Sequence, residues 1–105
     1  MSKAAEQGDV DSQLALGAAF YNNNDYSNAF KWLSKAAAQG HAYAMNCIGV
    51  FYENGLSVTK SIPTAMYWYK KAGDKGNQEA VDNYKRLYNQ GYRESATPQK
   101  RNSAL

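Results

Sequence analysis

At 105 residues, with 44% hydrophobic and 13% aromatic content, the chain can build one small domain with a real core, and two domains are excluded. No run approaches the roughly 20 apolar residues of a membrane-spanning helix, and residues 1–8 lack the apolar stretch of a secretory signal, so a soluble, cytoplasmic protein is expected. The net charge of +3 hides an asymmetry: residues 1–59 carry three Lys and five acids, a net of −2, whereas residues 60–105 carry nine Lys/Arg and four acids, a net of +5. Such a gradient could steer an acidic partner toward the C-terminal end, but it is too dilute for a nucleic-acid footprint.

Residues 2–7 read as the last turns of a helix, because Ser2-Lys3-Ala4-Ala5-Glu6-Gln7-Gly8 repeats Ser34-Lys35-Ala36-Ala37-Ala38-Gln39-Gly40 almost letter for letter. The chain therefore starts in mid-repeat, either trimmed from a longer parent or opened by a short capping helix. Residues 9–22 follow as the first full helix, with Val10, Leu14, Leu16, Ala19 and Phe20 as its apolar stripe. The Asn22-Asn23-Asn24-Asp25 cluster is a turn, and Asp25 is the expected N-cap of a helix over 26–39 that buries Ala29, Trp32, Leu33 and Ala36. The pattern then returns. A helix is expected over 41–54, a loop over 55–60, and a helix capped by Ser61 with Pro63 in its first turn. A last helix over 77–90 sets Ala80, Tyr84 and Tyr88 in the places of Ala44, Ile48 and Tyr52, and no partner helix follows it. Gly8, Gly40, Gly76 and Gly91 each stop a helix. Residues 1–91 thus form the helical domain, and 92–105 are a polar tail expected to be loose beyond about Thr97.

The two copies are offset by 36 residues between Trp32 and Trp68 and by 32 between Gly17 and Gly49, so four residues are inserted between the halves of the second copy. Self-similarity at this period marks stacked helical units, none of which buries its apolar face alone. Gly17 and Gly49 lie inside helices, where each costs about 1 kcal/mol relative to Ala. The expected compensation is that Trp32 and Trp68 press against the bare backbone there.

Leu16-Gly17-x-x-Phe20 with Ala29-x-x-Trp32-x-x-x-Ala36-Ala37-x-x-Gly40, and Ile48-Gly49-x-x-Tyr52 with Ala65-x-x-Trp68-x-x-x-Ala72-Gly73-x-x-Gly76, resemble the Sel-one-like repeat, a relative of the tetratricopeptide repeat. The resemblance spans roughly residues 2–91. It implies an all-α solenoid of antiparallel helix pairs, about two and a half repeats with roughly five main helices plus the short N-terminal turn. Lys85 departs from the pattern at the third helix-glycine position, and the family's Gly-x-Gly-Val-x-x-Asp loop survives only as Gly55 and Val58, with Ser57 and Ser61 at its second Gly and its Asp. The function implied is protein–protein contact as adaptor or scaffold; repeats of this kind also resemble those of bacterial immunity proteins that neutralise a cognate toxin.

Helical spacing places Asp11, Leu14, Ala18 and Tyr21 on one ridge of the first helix, Tyr43, Asn46, Val50 and Glu53 on that of the second copy, and Glu79, Asp82, Arg86 and Asn89 on that of the third. Stacked, these ridges make a concave surface. Tyr21, Tyr43, Asn46, Val50, Glu53, Asp82 and Arg86 are the candidate partner-binding residues, Tyr being a favoured anchor at interfaces. The alternative for Tyr21 and Tyr43 is packing against a neighbouring repeat. No acid–base–nucleophile set or phosphate loop is visible, and His41 and Cys47 have no ligand partners at metal spacing, so neither an enzyme nor a cofactor is expected. Trp68 is assigned to the core, and Tyr67 to a more exposed position. An incomplete stack with an open N-terminal end implies either a homo-oligomer or capping by the partner.

Overall fold

The computed structural model describes residues 2–94, which form six α-helices and no strand: α1 (Ser2–Glu6), α2 (Val10–Asn22), α3 (Tyr26–Ala38), α4 (Ala42–Asn54), α5 (Ile62–Asp74) and α6 (Gln78–Asn89). The expected looseness beyond Thr97 lies outside the described residues. Each helix packs chiefly on its neighbours in sequence, which is the arrangement of a solenoid.

Local chemistry sets the helix ends. Asp9, Asp25, Ser61 and Asn77 each accept a hydrogen bond from the backbone N–H three residues on, satisfying a donor that the first turn leaves open. Pro63 sits in the first turn of α5, where no N–H is required. The exception is His41, which occupies the N-cap position of α4 without making a cap bond. Its Nδ1 is buried with no hydrogen-bond partner among the described residues.

Small and large side chains alternate through the core. Ala29, Ala36, Ala44, Ala65, Ala72 and Ala80 are fully buried where helices cross, and Ile48, Phe51, Met66, Tyr69 and Leu87 fill the space between. A separate cluster of Ala5, Leu16 and Trp32 holds α1 against the first hairpin. There the amide of Gln13, 4% exposed, donates to the Ala5 carbonyl at 3.0 Å, and the amide of Gln39 donates to both Gln13 Oε1 and the Gly8 carbonyl at 2.9 Å.

The tryptophan wedge requires correction. The residues against the helix glycines are Leu33 at Gly17 and Tyr69 at Gly49, each one position after the tryptophan. A Cβ at Gly49 would fall 2.5 Å from a Tyr69 ring carbon, and one at Gly17 would fall 2.6 Å from Leu33 Cγ. Consecutive helical residues point about 100° apart, so a one-residue change of contact redirects the indole entirely. Trp32 turns instead toward α1, and Trp68 is only partly buried at the edge of the main core, with Tyr67, also partly buried, edge-on to its ring. Ala19, assigned to the apolar stripe of α2, is exposed.

Candidate functional site

The first helices of successive repeats, α2, α4 and α6, lie along one side of the stack and enclose a groove of about 480 Å³. Leu14, Ala18, Tyr21 and Asn22 of α2 form one wall, and Tyr43, Asn46, Cys47, Val50 and Phe51 of α4 the other. Leu33 contributes from α3, and Glu79 stands at the α6 end. The volume is that of a ligand cleft, and the lining is largely apolar with a few polar groups.

Of the candidate residues, Tyr21, Tyr43, Asn46 and Val50 line this groove together with Leu14, Ala18 and Glu79 of the same ridges. Tyr43 is 51% exposed. Tyr21 is 40% exposed and also rests against Phe51 of the next repeat, ring centroids 6.0 Å apart, and against Tyr26 at 5.4 Å. Tyr21 thus packs on a neighbouring repeat, as the alternative has it, and still presents a large face to solvent. Asn46 is 2% exposed, and its Oδ1 accepts from Asn83 Nδ2 at 3.2 Å.

Glu53, Asp82 and Arg86 lie outside the groove lining. Arg86 grips Glu53 with both terminal nitrogens at 3.0 Å, and the Tyr69 hydroxyl donates to Glu53 Oε1 at 2.7 Å. This network ties α4 to α5 and α6, with the two-pronged geometry that makes Arg–carboxylate pairs specific. Burial raises the Glu53 carboxyl, but the Arg86 and Tyr69 hydrogen bonds and the charges of Arg86 and Lys60 outweigh it and hold the group below its ordinary range. Burial, and then Glu53 itself, push the Tyr69 hydroxyl far above its usual range, so it serves as a permanent donor. Asp82 accepts from the Gln78 amide on its own helix.

Cys47, Phe51, Asn22 and Leu33 enter the groove although the ridge reading left them out. Tyr43, Cys47 and Phe51 follow one another at i, i+4 spacing, so Cys47 and Phe51 form the row beside the ridge, a signal the sequence carries. Burial pushes the Cys47 thiol above its ordinary range, so it is protonated at neutral pH and packs as a small hydrophobe. Cys47 beside Tyr43 raises the tyrosine hydroxyl, and Glu79 adds to the effect, so the groove presents phenol and thiol as neutral groups. No group of three or more His, Cys, Asp or Glu among the described residues could hold a metal ion, and no helix there is long and apolar enough to cross a membrane. What this lining offers is apolar contact and hydrogen bonding.

Stacked antiparallel helix pairs, with a glycine in α2 and in α4 admitting Leu33 and Tyr69 of the helix that follows, define a solenoid of short helical repeats. The chain belongs to the Sel1 repeat family, whose model matches residues 1–9, 10–41 and 42–77. It is 30% identical over 91 residues to the DAP3-binding cell death enhancer 1 of Rattus norvegicus, covering 85% of this chain and 18% of that protein. It is 31% identical over 87 residues to the chitin synthase regulator SKT5 of Saccharomyces cerevisiae, covering 77% of this chain and 12% of that one. Among solved structures, a protective antigen of uropathogenic Escherichia coli displaying an SLR fold matches with a TM-score of 0.81 at 35% identity, over 86% of this chain and 20% of that one. The chain thus spans less than a fifth of the length of these two curated relatives.

Proposed function

We propose that the protein is a non-enzymatic interaction module that binds a protein partner in the groove between α2, α4 and α6. The observation that carries this reading is the coincidence of two exposed tyrosines, Tyr21 and Tyr43, with an apolar cleft of about 480 Å³. Large aromatic side chains bury much area for little loss of rotamer freedom, and leaving two at the mouth of an apolar cleft makes sense if something covers them. Relatives described as a DAP3-binding protein and as a regulator of chitin synthase add weight to an adaptor role.

The test is copurification. A tagged chain expressed in its native host should retain a protein partner, Tyr43→Asp should release it, and Lys35→Ala on α3 should leave it bound. A partner held equally well by Tyr43→Asp would place binding on another face. If the retained protein is an enzyme or toxin, assay of its activity at equal molarity distinguishes a scaffold, which leaves the activity intact, from a neutralising protein, which abolishes it.

A further inference from the structure

The ionised residues of this molecule are sorted by helix type in a way the linear charge gradient hides. Within the helices of the first two repeats, α2 carries only Asp11 and α4 only Glu53, with no Lys or Arg on either. Their partners are the reverse: α3 carries Lys31 and Lys35, and α5 carries Lys70 and Lys71 against Asp74. Helix α6 has Glu79 and Asp82 with Lys85 and Arg86, but Arg86 is committed to Glu53 and Lys85 lines a separate cleft against α5. Lys31 and Lys35 lie over the Trp32 ring at 5.3 and 5.8 Å, and Lys71 over the Tyr67 and Trp68 rings at 5.4 and 5.9 Å, so these cations stay with the second helices.

The consequence falls on the groove. Among the residues lining it Glu79 alone is charged, and among the described residues it forms no ion pair and no hydrogen bond through its side chain. Cys47 first and Glu79 only in lesser part raise the Tyr43 hydroxyl, and burial first and Glu79 in lesser part raise the Cys47 thiol, so the carboxylate stands close to both groups. The wall beside it holds Asn46, 2% exposed, whose amide nitrogen donates to no acceptor among the described residues although its oxygen is occupied by Asn83. The groove therefore offers apolar walls, one negative charge without an ion-pair partner among the described residues, and the polar groups of Tyr21, Asn22, Tyr43 and Asn46.

Resting on the reading above, we infer that the groove takes a cationic, amphipathic peptide segment of its partner: apolar side chains between Tyr21, Tyr43 and Val50, a Lys, Arg or N-terminal amine against Glu79, and a carbonyl oxygen on the Asn46 amide. An acidic segment, which the linear gradient favours, meets Glu79 without a counter-charge. A cationic one leaves no unmatched charge at the interface, and electrostatic matching of this kind sets specificity and association rate more than total affinity.

The experiment is selection from a random twelve-residue peptide display library on the immobilised 105-residue chain, followed by fluorescence anisotropy of the enriched peptides. The selected peptides should combine large apolar residues with Lys or Arg. Tyr43→Ala should weaken them at least tenfold, whereas Glu79→Gln should do so about threefold, as for an exposed ion pair, with the difference shrinking at high salt. Glu79→Lys should select acidic peptides instead, and Lys71→Ala should change nothing. Peptides that need Tyr43 but show no cationic enrichment, or an acidic one, would overturn the charge assignment and leave the groove standing. Peptides indifferent to Tyr43, or no enrichment at all, would overturn both. Tyr43 and Glu79 are exposed, and although Glu79→Gln and Glu79→Lys lose a carboxylate favoured in the first turn of α6 and should melt slightly lower, melts that show every variant folded keep these outcomes readable.

Discussion

Gly49 and Tyr69 show how narrow the tolerance is at single positions. The ring that would meet a new Cβ at 2.5 Å is fully buried, and its hydroxyl is held by Glu53. It has nowhere to move. Gly49→Ala gains about 1 kcal/mol of helix propensity and loses about 1–3 kcal/mol to overpacking, so a net destabilisation is expected. At Gly17 the obstructing atoms belong to the branched end of Leu33, which can rotate in part, so Gly17→Ala should cost less. Urea denaturation of the two variants side by side checks the order. His41 gives the opposite expectation, since its neighbours in role, Asp9, Asp25, Ser61 and Asn77, all cap their helices while it does not. His41→Asp should supply the missing cap and raise stability by about 1 kcal/mol, read as a higher melting temperature.

Between elements, the contacts that fix the groove are polar and few. The Glu53 network joins α4, α5 and α6, and the Gln13–Gln39 pair joins α1, α2 and α3. Because Glu53 titrates in the folded state below its ordinary value of 4.5, its contribution is present above about that pH and is lost as pH falls through the depressed value. Glu53→Gln should therefore lower stability at pH 7 and flatten the acid limb of the stability profile, measurable as urea midpoints between neutral and acid pH. Gln13→Leu removes one of the two donors to the Ala5 carbonyl, which keeps the Gly8 N–H, together with an acceptor of the Gln39 amide, and should cost about 0.5–1.5 kcal/mol. Neither contact was visible beforehand. The Arg86–Glu53 pair spans 33 residues, and the ridge reading had set both side chains aside for a partner.

For the whole molecule, repetition limits cooperativity: each hairpin is supported only by its neighbours, and an end without a neighbour leaves apolar surface uncovered. Tyr88 and Tyr92, each 45% exposed, lie on α6 and just after it, and Tyr88 stacks on Tyr84, which with Tyr69, Gly73, Val81 and Lys85 lines a cleft of about 220 Å³. The isolated chain is expected to self-associate there, and sedimentation at high micromolar concentration should show species larger than a monomer that Tyr88→Glu reduces. A monomer at that concentration would remove this end as an interface.

Periodicity, capping residues and the copied Gly-aromatic-Ala-Trp pattern determined that the chain is a stack of helical hairpins, because these signals are local and each is written within one turn of helix. The ridge of Leu14, Tyr21, Tyr43, Asn46 and Val50 was legible for the same reason. Tertiary structure decided what depends on helical phase and on distant pairs: that Leu33 and Tyr69 rather than the tryptophans meet the glycines, that Glu53 and Arg86 lock onto each other, and that Glu79 is left as the groove's unmatched charge. A step of one residue turns a side chain by about 100°, and no local pattern resolves that until the neighbouring helix is in place.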